Sequence, residues 1–436
     1  MVIRRELVEN AVATSVGTAL FRMTGDGCMK AVDESARWRV LLLAGSGTEL
    51  LPGHHFALKG LPSEPAPVDV ELWTRFEDQG LTDLIPRELI FQIDLTSDGI
   101  DEALAYAGAA ASGLAAVLSS AVNAFVPVPE PFLAFQSGAE LTTREFWQRE
   151  VGLQEGIPKI GRRLDEGLLG QLLQSFLASP ESARLSRAIG QYHAALQYWN
   201  TRGQAFALAH AYMALEALAP AAERAQREAL GFESREDHAQ HRGIDVTRSN
   251  WIEMLLARVR RDVICQGDID TYDAARRASD GLEHGSIALS EYRANANLHA
   301  RKLLDYVRAG VLNLLVLEAE TRAGLLSKKL VDTSPLWIEM RGHLIGQVMD
   351  PEGMGEPPNS FPFMEWRVSL DDVKRVEDDR LEVSPRIELT MHFAEGVQFV
   401  PAEHRLGFGL NSAAAFNVRW GMQDTAEESE DPSGRD

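Results

Sequence analysis

Arg277 and His284 are the residues whose types and spacing point most directly to chemistry. They stand in the stretch Ala274–Ser286, AARRASDGLEHGS, between helical runs on both sides. Seven residues make about two helical turns, so an unbroken helix would project both from one face, roughly 10 Å apart along its axis. A fixed cation beside a titratable imidazole suits phosphate-ester chemistry. The arginine can stabilise developing negative charge, and the histidine can carry a proton. Arg276, Ser279, Asp280 and Glu283 lie within the same turns and are candidate supporting residues. A structural reading stands beside this one. His284-Gly285 has the form of a helix C-terminus, with glycine for the left-handed turn and histidine against the dipole.

A bundle must position such a helix, and the chain supplies one. TRGQAFALAHAYMALEAL, Thr201–Leu218, is apolar almost all round and reads as a central helix, which Pro220 is expected to end. Glu216 sits on it between Met213, Leu215 and Leu218 and needs a partner if buried, with Arg277 the first choice and Arg276 the second. Upstream, TTREFWQREVG, RRLDEGLLGQLLQSFLA and ARLSRAIGQYHAALQYWN read as helices. SNWIEMLLARVRRDVI, capped by Ser249 or Asn250, and NLHARKLLDYVRAGVLNLLVLEAETRAGLL complete the helical region.

Strand patterns flank the helices. WRVLLLAG, HHFALKG, VDVELWTRF and ELIFQIDL predict four N-terminal strands. A run from Ala103 to Pro127 carries no charge. Its wealth of Ala, Gly and Ser argues for a close-packed buried helix, capped by Ser97 or Asp98, and against a membrane span. Beyond Ser334, LWIEMRGHLIGQV, FMEWRVSL, RIELTMHF, HRLGFGLN and AAFNVRW predict five more strands, broken by PEGMGEPPNSFP and DDVKRVEDDRLEV. The reading is thus an α+β protein: an N-terminal β-containing domain (1–140), a helical bundle (141–330), an antiparallel β-domain (331–422) and an acidic disordered tail (423–436).

The chain has 436 residues and a formal charge of −21, which disfavours broad phosphate neutralisation and leaves room only for a small local basic site. Cys28 and Cys265 are its only cysteines, which fits a reducing cytoplasm, and the N-terminus lacks the apolar core of a signal peptide. Adjacent His54 and His55 should point apart, and His238 and His241 read as solvated, so no metal site is expected.

Arg277-ASDGLE-His284-Gly285 resembles the signature of the HEPN superfamily, in particular its Apea-like kind: an arginine, a short spacer and a histidine, often followed by glycine. ALEAL at 214–218 is similar to the helix that such domains carry ahead of that motif. The resemblance covers roughly residues 195–320. SDGLEHG also resembles the MauJ-type proteins of methylamine-utilisation clusters, a label that defines no activity. Ala278 follows the arginine where many HEPN nucleases have Asn, Asp or His, and Glu283 replaces an apolar residue.

The resemblance implies metal-independent RNA cleavage without a cofactor, with His284 moving the proton at the ribose 2′-hydroxyl or leaving oxygen and Arg277 stabilising the phosphorane-like charge. It equally accommodates a non-catalytic module that binds a nucleotide or a protein. Helical side chains lean towards the N-terminus, so His284 leans towards Arg277 while Arg277 leans away. Two copies facing across a two-fold axis converge better, as does a helix broken at Gly281, and the composite sites of HEPN dimers agree. The expectation is therefore a cytoplasmic homodimer joined through its bundle, a defence or toxin effector with RNA as substrate and no membrane partner.

Overall fold

The computed structural model describes residues 36–137 (except 79 and 81), 145–148, 162–331 (except 201–202 and 285–287), and five strands beyond; for 282–284, 289–290 and most residues after 336 only the backbone is described. Residues 1–35 and the tail expected to be disordered lie outside this set.

The four strands predicted from alternation are present: β1 (Ala36–Gly45), β2 (Phe56–Leu61), β3 (Val68–Glu77) and β4 (Ile85–Ser97). Trp38, Val40, Leu42 and Ala44 of β1 are buried, and the residues between them are more exposed. Val40 pairs with Ile93 and Leu42 with Phe91, so the apolar sets of β1 and β4 share one face. Two more strands complete the sheet, β5 (Glu130–Gln136) and β6 (Phe146–Gln148), in the order β2-β3-β4-β1-β5-β6 with antiparallel neighbours throughout. Both correct the sequence reading, which predicted no strand at β5 and a helix, TTREFWQREVG, over β6. Pro131 enters the second position of β5, where a register shift between Leu41 and Leu42 absorbs it.

Helix α1 (Ile100–Val122) packs Ala103, Ala107, Ala111, Leu114 and Leu118 into the core as expected. Its cap is not Ser97 or Asp98 but Gly99. The Ser97 hydroxyl donates instead to the Gly99 carbonyl (2.9 Å), and the Glu102 carboxylate accepts from the Asp98 N–H (2.9 Å).

The helices that follow are α2 (Glu166–Ala178), α3 (Ser182–Gln197), α4 (Gln204–Ala229), α5 (Arg235–His241), α6 (Trp251–Val259), α7 (Ile269–His284), α8 (Leu289–Leu314) and α9 (Ala319–Ser327). Pro220 does not end α4, which continues through it to Ala229. The expected single helix from Trp251 changes at Arg260 into a π-helical turn, Arg260–Ile264. Helices α3 and α4 are antiparallel, since His210 meets Gln191 (2.9 Å) and Arg224 meets Glu181 (2.7 Å). Helix α8 runs with α4: the Tyr292 hydroxyl donates to the Ala205 carbonyl (2.6 Å), and Gly310 lies beside Leu218. Tyr272 of α7 packs on Tyr212 of α4 (6.3 Å between centroids), while Asp268, just before α7, meets Tyr306 of α8. The C-terminal ends of α3 and α7 therefore gather with the N-terminal ends of α4 and α8 at one end of the bundle.

One buried apolar cluster runs from Trp38 in the sheet to Leu330 beyond the bundle. Where α1 ends against the bundle, Arg308 of α8 donates to the carbonyls of Ser120 (2.8 Å), Ala121 (3.4 Å), Leu325 (2.6 Å) and Lys328 (3.3 Å). Asn123 takes the left-handed conformation there, accepting from the Tyr192 hydroxyl (2.5 Å) and donating to the Lys328 carbonyl (2.8 Å). Among the described residues, α1 and α4 are the two helices long and apolar enough to cross a membrane, but most of each apolar window is buried inside the fold.

Beyond the bundle lie β7 (Trp337–Ile345), β8 (Phe363–Glu377), β9 (Arg380–His392), β10 (Gln398–Phe408) and β11 (Ser412–Ala414). They form a three-stranded sheet, β11-β10-β7, and a separate hairpin, β8-β9. The acidic run read as a break belongs largely to that hairpin. The Asp83 N–H donates to the Val373 carbonyl (3.0 Å), which joins the β3–β4 connection to β8. The chain is accordingly α+β, with antiparallel sheet.

Candidate functional site

Helix α7 is fixed at its start. The Asp268 carboxylate accepts from the Thr271 N–H (3.0 Å), the Thr271 hydroxyl (2.8 Å) and the Tyr306 hydroxyl (3.1 Å), with Lys302 Nζ at 3.6 Å. Burial raises its pKa, but those hydrogen bonds and Lys302 outweigh burial and hold the carboxyl below its ordinary value. Gln266 and Gly267, both with positive φ, turn the chain out of the π-helical segment into α7. Thr271, Tyr272, Ala275, Ala278 and Ser279 are buried, and the small residues among them let α7 lie close to α4 and α8.

The helix is unbroken to His284, so Gly281, itself buried, does not bring Arg277 and His284 nearer than two helical turns. Arg277, Arg276 and Asp280 are exposed. Arg276 lies 3.7 Å from Asp273, while Arg277 has no ion pair among the described residues. Ser279 faces the core and so leaves the exposed flank that carries Arg277 and Asp280. For Glu283 and His284 the backbone alone is described, and it places His284 as the last residue of α7.

Glu216 departs from its expected role. It is not buried: its side chain is 48% exposed, and Arg260 Nη1 stands 3.6 Å away. Arg260 belongs to the π-helical turn and lies over the Tyr212 ring, 5.9 Å from its centroid. A partner from that turn takes the position the sequence suggested for Arg277 or Arg276. Pro220, four residues on, brings no N–H to the Glu216 carbonyl, so polar chemistry here differs from that of an ordinary helix interior.

The buried ionisable cluster lies elsewhere. Glu223 and His238 have fully buried side chains, with His238 Nδ1 3.1 Å from Glu223 Oε1. Arg235 Nε donates to Glu223 Oε2 (3.0 Å), and Arg242 Nε donates to His238 Nε2 (3.0 Å). Accepting from Arg242 at Nε2 leaves the proton on Nδ1, aimed at Glu223. With both ring nitrogens engaged, His238 is a structural residue. The expectation that it is solvated was wrong: Arg242 stands one helical turn away, but the partner that covers Nδ1, Glu223, comes from α4, outside any local spacing. His54 and His55 take separate partners, Glu166 (2.9 Å) and Glu71 (2.7 Å), as adjacent residues should. Among the described residues no three metal-ligating side chains gather.

A cleft of about 560 Å³ opens between α2, α4 and the α8–α9 connection, lined by Gln174, Ser175, Glu181, Arg224 and Val316. It adjoins the C-terminal half of α4, whereas α7 ends beside the start of α4. The cleft and the Arg277–His284 helix thus occupy opposite ends of the bundle.

With this geometry in hand, comparison with known protein families, curated proteins and solved structures gives no match.

Proposed function

We propose that the chain is an HEPN-type, metal-independent ribonuclease whose helical bundle presents Arg277 and His284 on α7, flanked by the N-terminal sheet and the C-terminal strands as gating elements. The observation that carries this reading is the state of Arg277. It is exposed on an unbroken helix ending at His284, and Arg260 stands at the Glu216 position that a structural role would have given it. An exposed arginine, without an ion pair among the described residues, two turns before a terminal histidine can hold a phosphate while the imidazole moves a proton. Because two turns is too far for both to act on one atom from one helix, the reading includes a homodimer that pairs the helices. Most of the apolar window of each of α1 and α4 is buried within the fold, in keeping with the proposed cytoplasmic protein in a defence or toxin role.

The test is RNA cleavage by the parent, Arg277→Ala and His284→Ala proteins. Each substitution should lower cleavage about a hundred- to ten-thousandfold, with the double variant scarcely worse and chelator without effect. Unfolding free energies should change by no more than about 0.5 kcal/mol, the range of surface sites, so melting temperatures should stay nearly unchanged. Equal cleavage by parent and His284→Ala, or equal harmlessness of both in cells with and without phage challenge, would sink the nuclease and leave a binding module. Light scattering that shows a monomer at tens of micromolar would remove the composite site.

A further inference from the structure

Asp280 stands between Arg277 and His284 on α7, three residues after the first and four before the second. On an unbroken helix both intervals place residues on neighbouring turns of one face, with about 5–6 Å between Cβ atoms. Glu283, the other acid nearby, adjoins His284 in the chain and so lies about 100° around the helix from it. Asp280 is exposed, and its carboxylate has no ion pair among the described residues, although Arg276 and Arg277 both stand within helical reach of it. Arg276 instead reaches back along the helix to Asp273 (3.7 Å). That choice follows the general lean of helical side chains towards the N-terminus, which takes positions 276 and 277 away from Asp280 and brings position 284 towards it. An acid four residues ahead of a base is also the better order for a helical pair. Charge adds a second argument. A carboxylate on the flank that is to hold a phosphate repels it, so its presence there weakens binding unless it acts on a neighbour.

We infer that Asp280 is the positioning residue for His284 in the proposed cleavage, an inference that rests on the ribonuclease reading above. Its carboxylate takes one ring N–H of the imidazole, which fixes the proton on that nitrogen and leaves the other nitrogen free for the substrate. The 2′-hydroxyl proton passes to the free nitrogen while the 2′ oxygen bonds phosphorus and the 5′ oxygen leaves with a proton from water. The ring becomes imidazolium, the carboxylate stabilises that charge, and the proton then returns to solvent. Arg277, leaning away from Asp280, keeps its donors for the phosphate rather than for the acid beside it.

The experiment uses the full chain with Asp280→Ala or Asp280→Glu, and a fluorophore-labelled single-stranded RNA as substrate. Alanine is the better helix former, so the first variant keeps the fold. NMR of the ring nitrogens, assigned with His284→Ala, reads the tautomer ratio of neutral His284. Asp280→Ala should shift that ratio, and Asp280→Glu should return it towards the parent's. In cleavage, Asp280→Ala should lower kcat roughly tenfold, the lower end for a hydrogen bond to a charged group because water competes at an exposed site. KM should stay level or fall, since a negative charge has left the surroundings of the phosphate. Asp280→Glu should recover most of kcat. A kcat equal to the parent's, or a lower kcat with an unmoved tautomer ratio, overturns the positioning role while the ribonuclease reading stands. A raised KM with kcat unchanged makes Asp280 a substrate contact and overturns the role as well. A parent that cleaves no RNA overturns both readings, whatever the nitrogen signals do.

Discussion

Arg308 and Arg277 belong to neighbouring antiparallel helices, α8 and α7, and their surroundings differ in every respect. Arg308 is 3% exposed and spends its donors on four carbonyls, two from the end of α1 and two around α9. Burial depresses its pKa, yet the guanidinium remains the only group of that size that can satisfy so many acceptors at once. Arg277 lies on an exposed flank without an ion pair among the described residues. The first arginine fastens the sheet's helix to the bundle, and the second stays exposed on the flank of α7. The contrast teaches that a cation's value to architecture and its availability for chemistry exclude each other. Burial and saturation separate the two cases more sharply than residue type does.

The contrast can be broken at the junction first. Arg308→Ala strands several buried carbonyls and should cost about 3–5 kcal/mol in urea or thermal unfolding. A loss under about 1 kcal/mol would mean that water replaces the guanidinium and that the junction is less closed than its geometry states. Next in size is Asp268→Asn, which weakens the cap and the clasp at the start of α7 and should cost about 1 kcal/mol near neutral pH. Its pH dependence carries a sign. A carboxyl held below its ordinary pKa in the fold contributes stability above the unfolded aspartate range and loses it as pH falls through the folded value. The acid-side slope of stability should therefore be shallower in Asp268→Asn than in the parent, and identical slopes would assign the acid transition to other carboxylates.

Smallest is Glu216→Ala. With a half-exposed carboxylate 3.6 Å from Arg260, the loss should stay below about 1 kcal/mol and shrink further in salt. A loss of about 3 kcal/mol or more would restore the buried ion pair that the sequence suggested.

Several features were legible without the fold because they depend on local geometry. The alternation in WRVLLLAG and ELIFQIDL sets which side chains share a face; β1 follows it residue by residue, and β4 does so from Phe91 to Leu95, while Glu88 to Phe91 are buried in succession. The charge-free run after Asp101 and Glu102 had to be covered, and α1 is covered by the sheet. The seven-residue spacing of Arg277 and His284 is a property of any helix, and α7 keeps it intact. What the sequence left undecided depends on long-range partners. Pro131 is tolerated because β1 shifts register opposite it, and Pro220 because α4 is packed along its length. His238 is buried where Glu223 of α4 meets its Nδ1, and half-exposed Glu216 is reached by Arg260 from a π-helical turn. The rings of Tyr198, Phe206 and His210 sit apart in the sequence and touch only because α3 and α4 fold back on each other. Periodicity fixes which face a residue occupies, whereas only packing decides what stands opposite that face, and burial, pairing and availability for chemistry all follow from the latter.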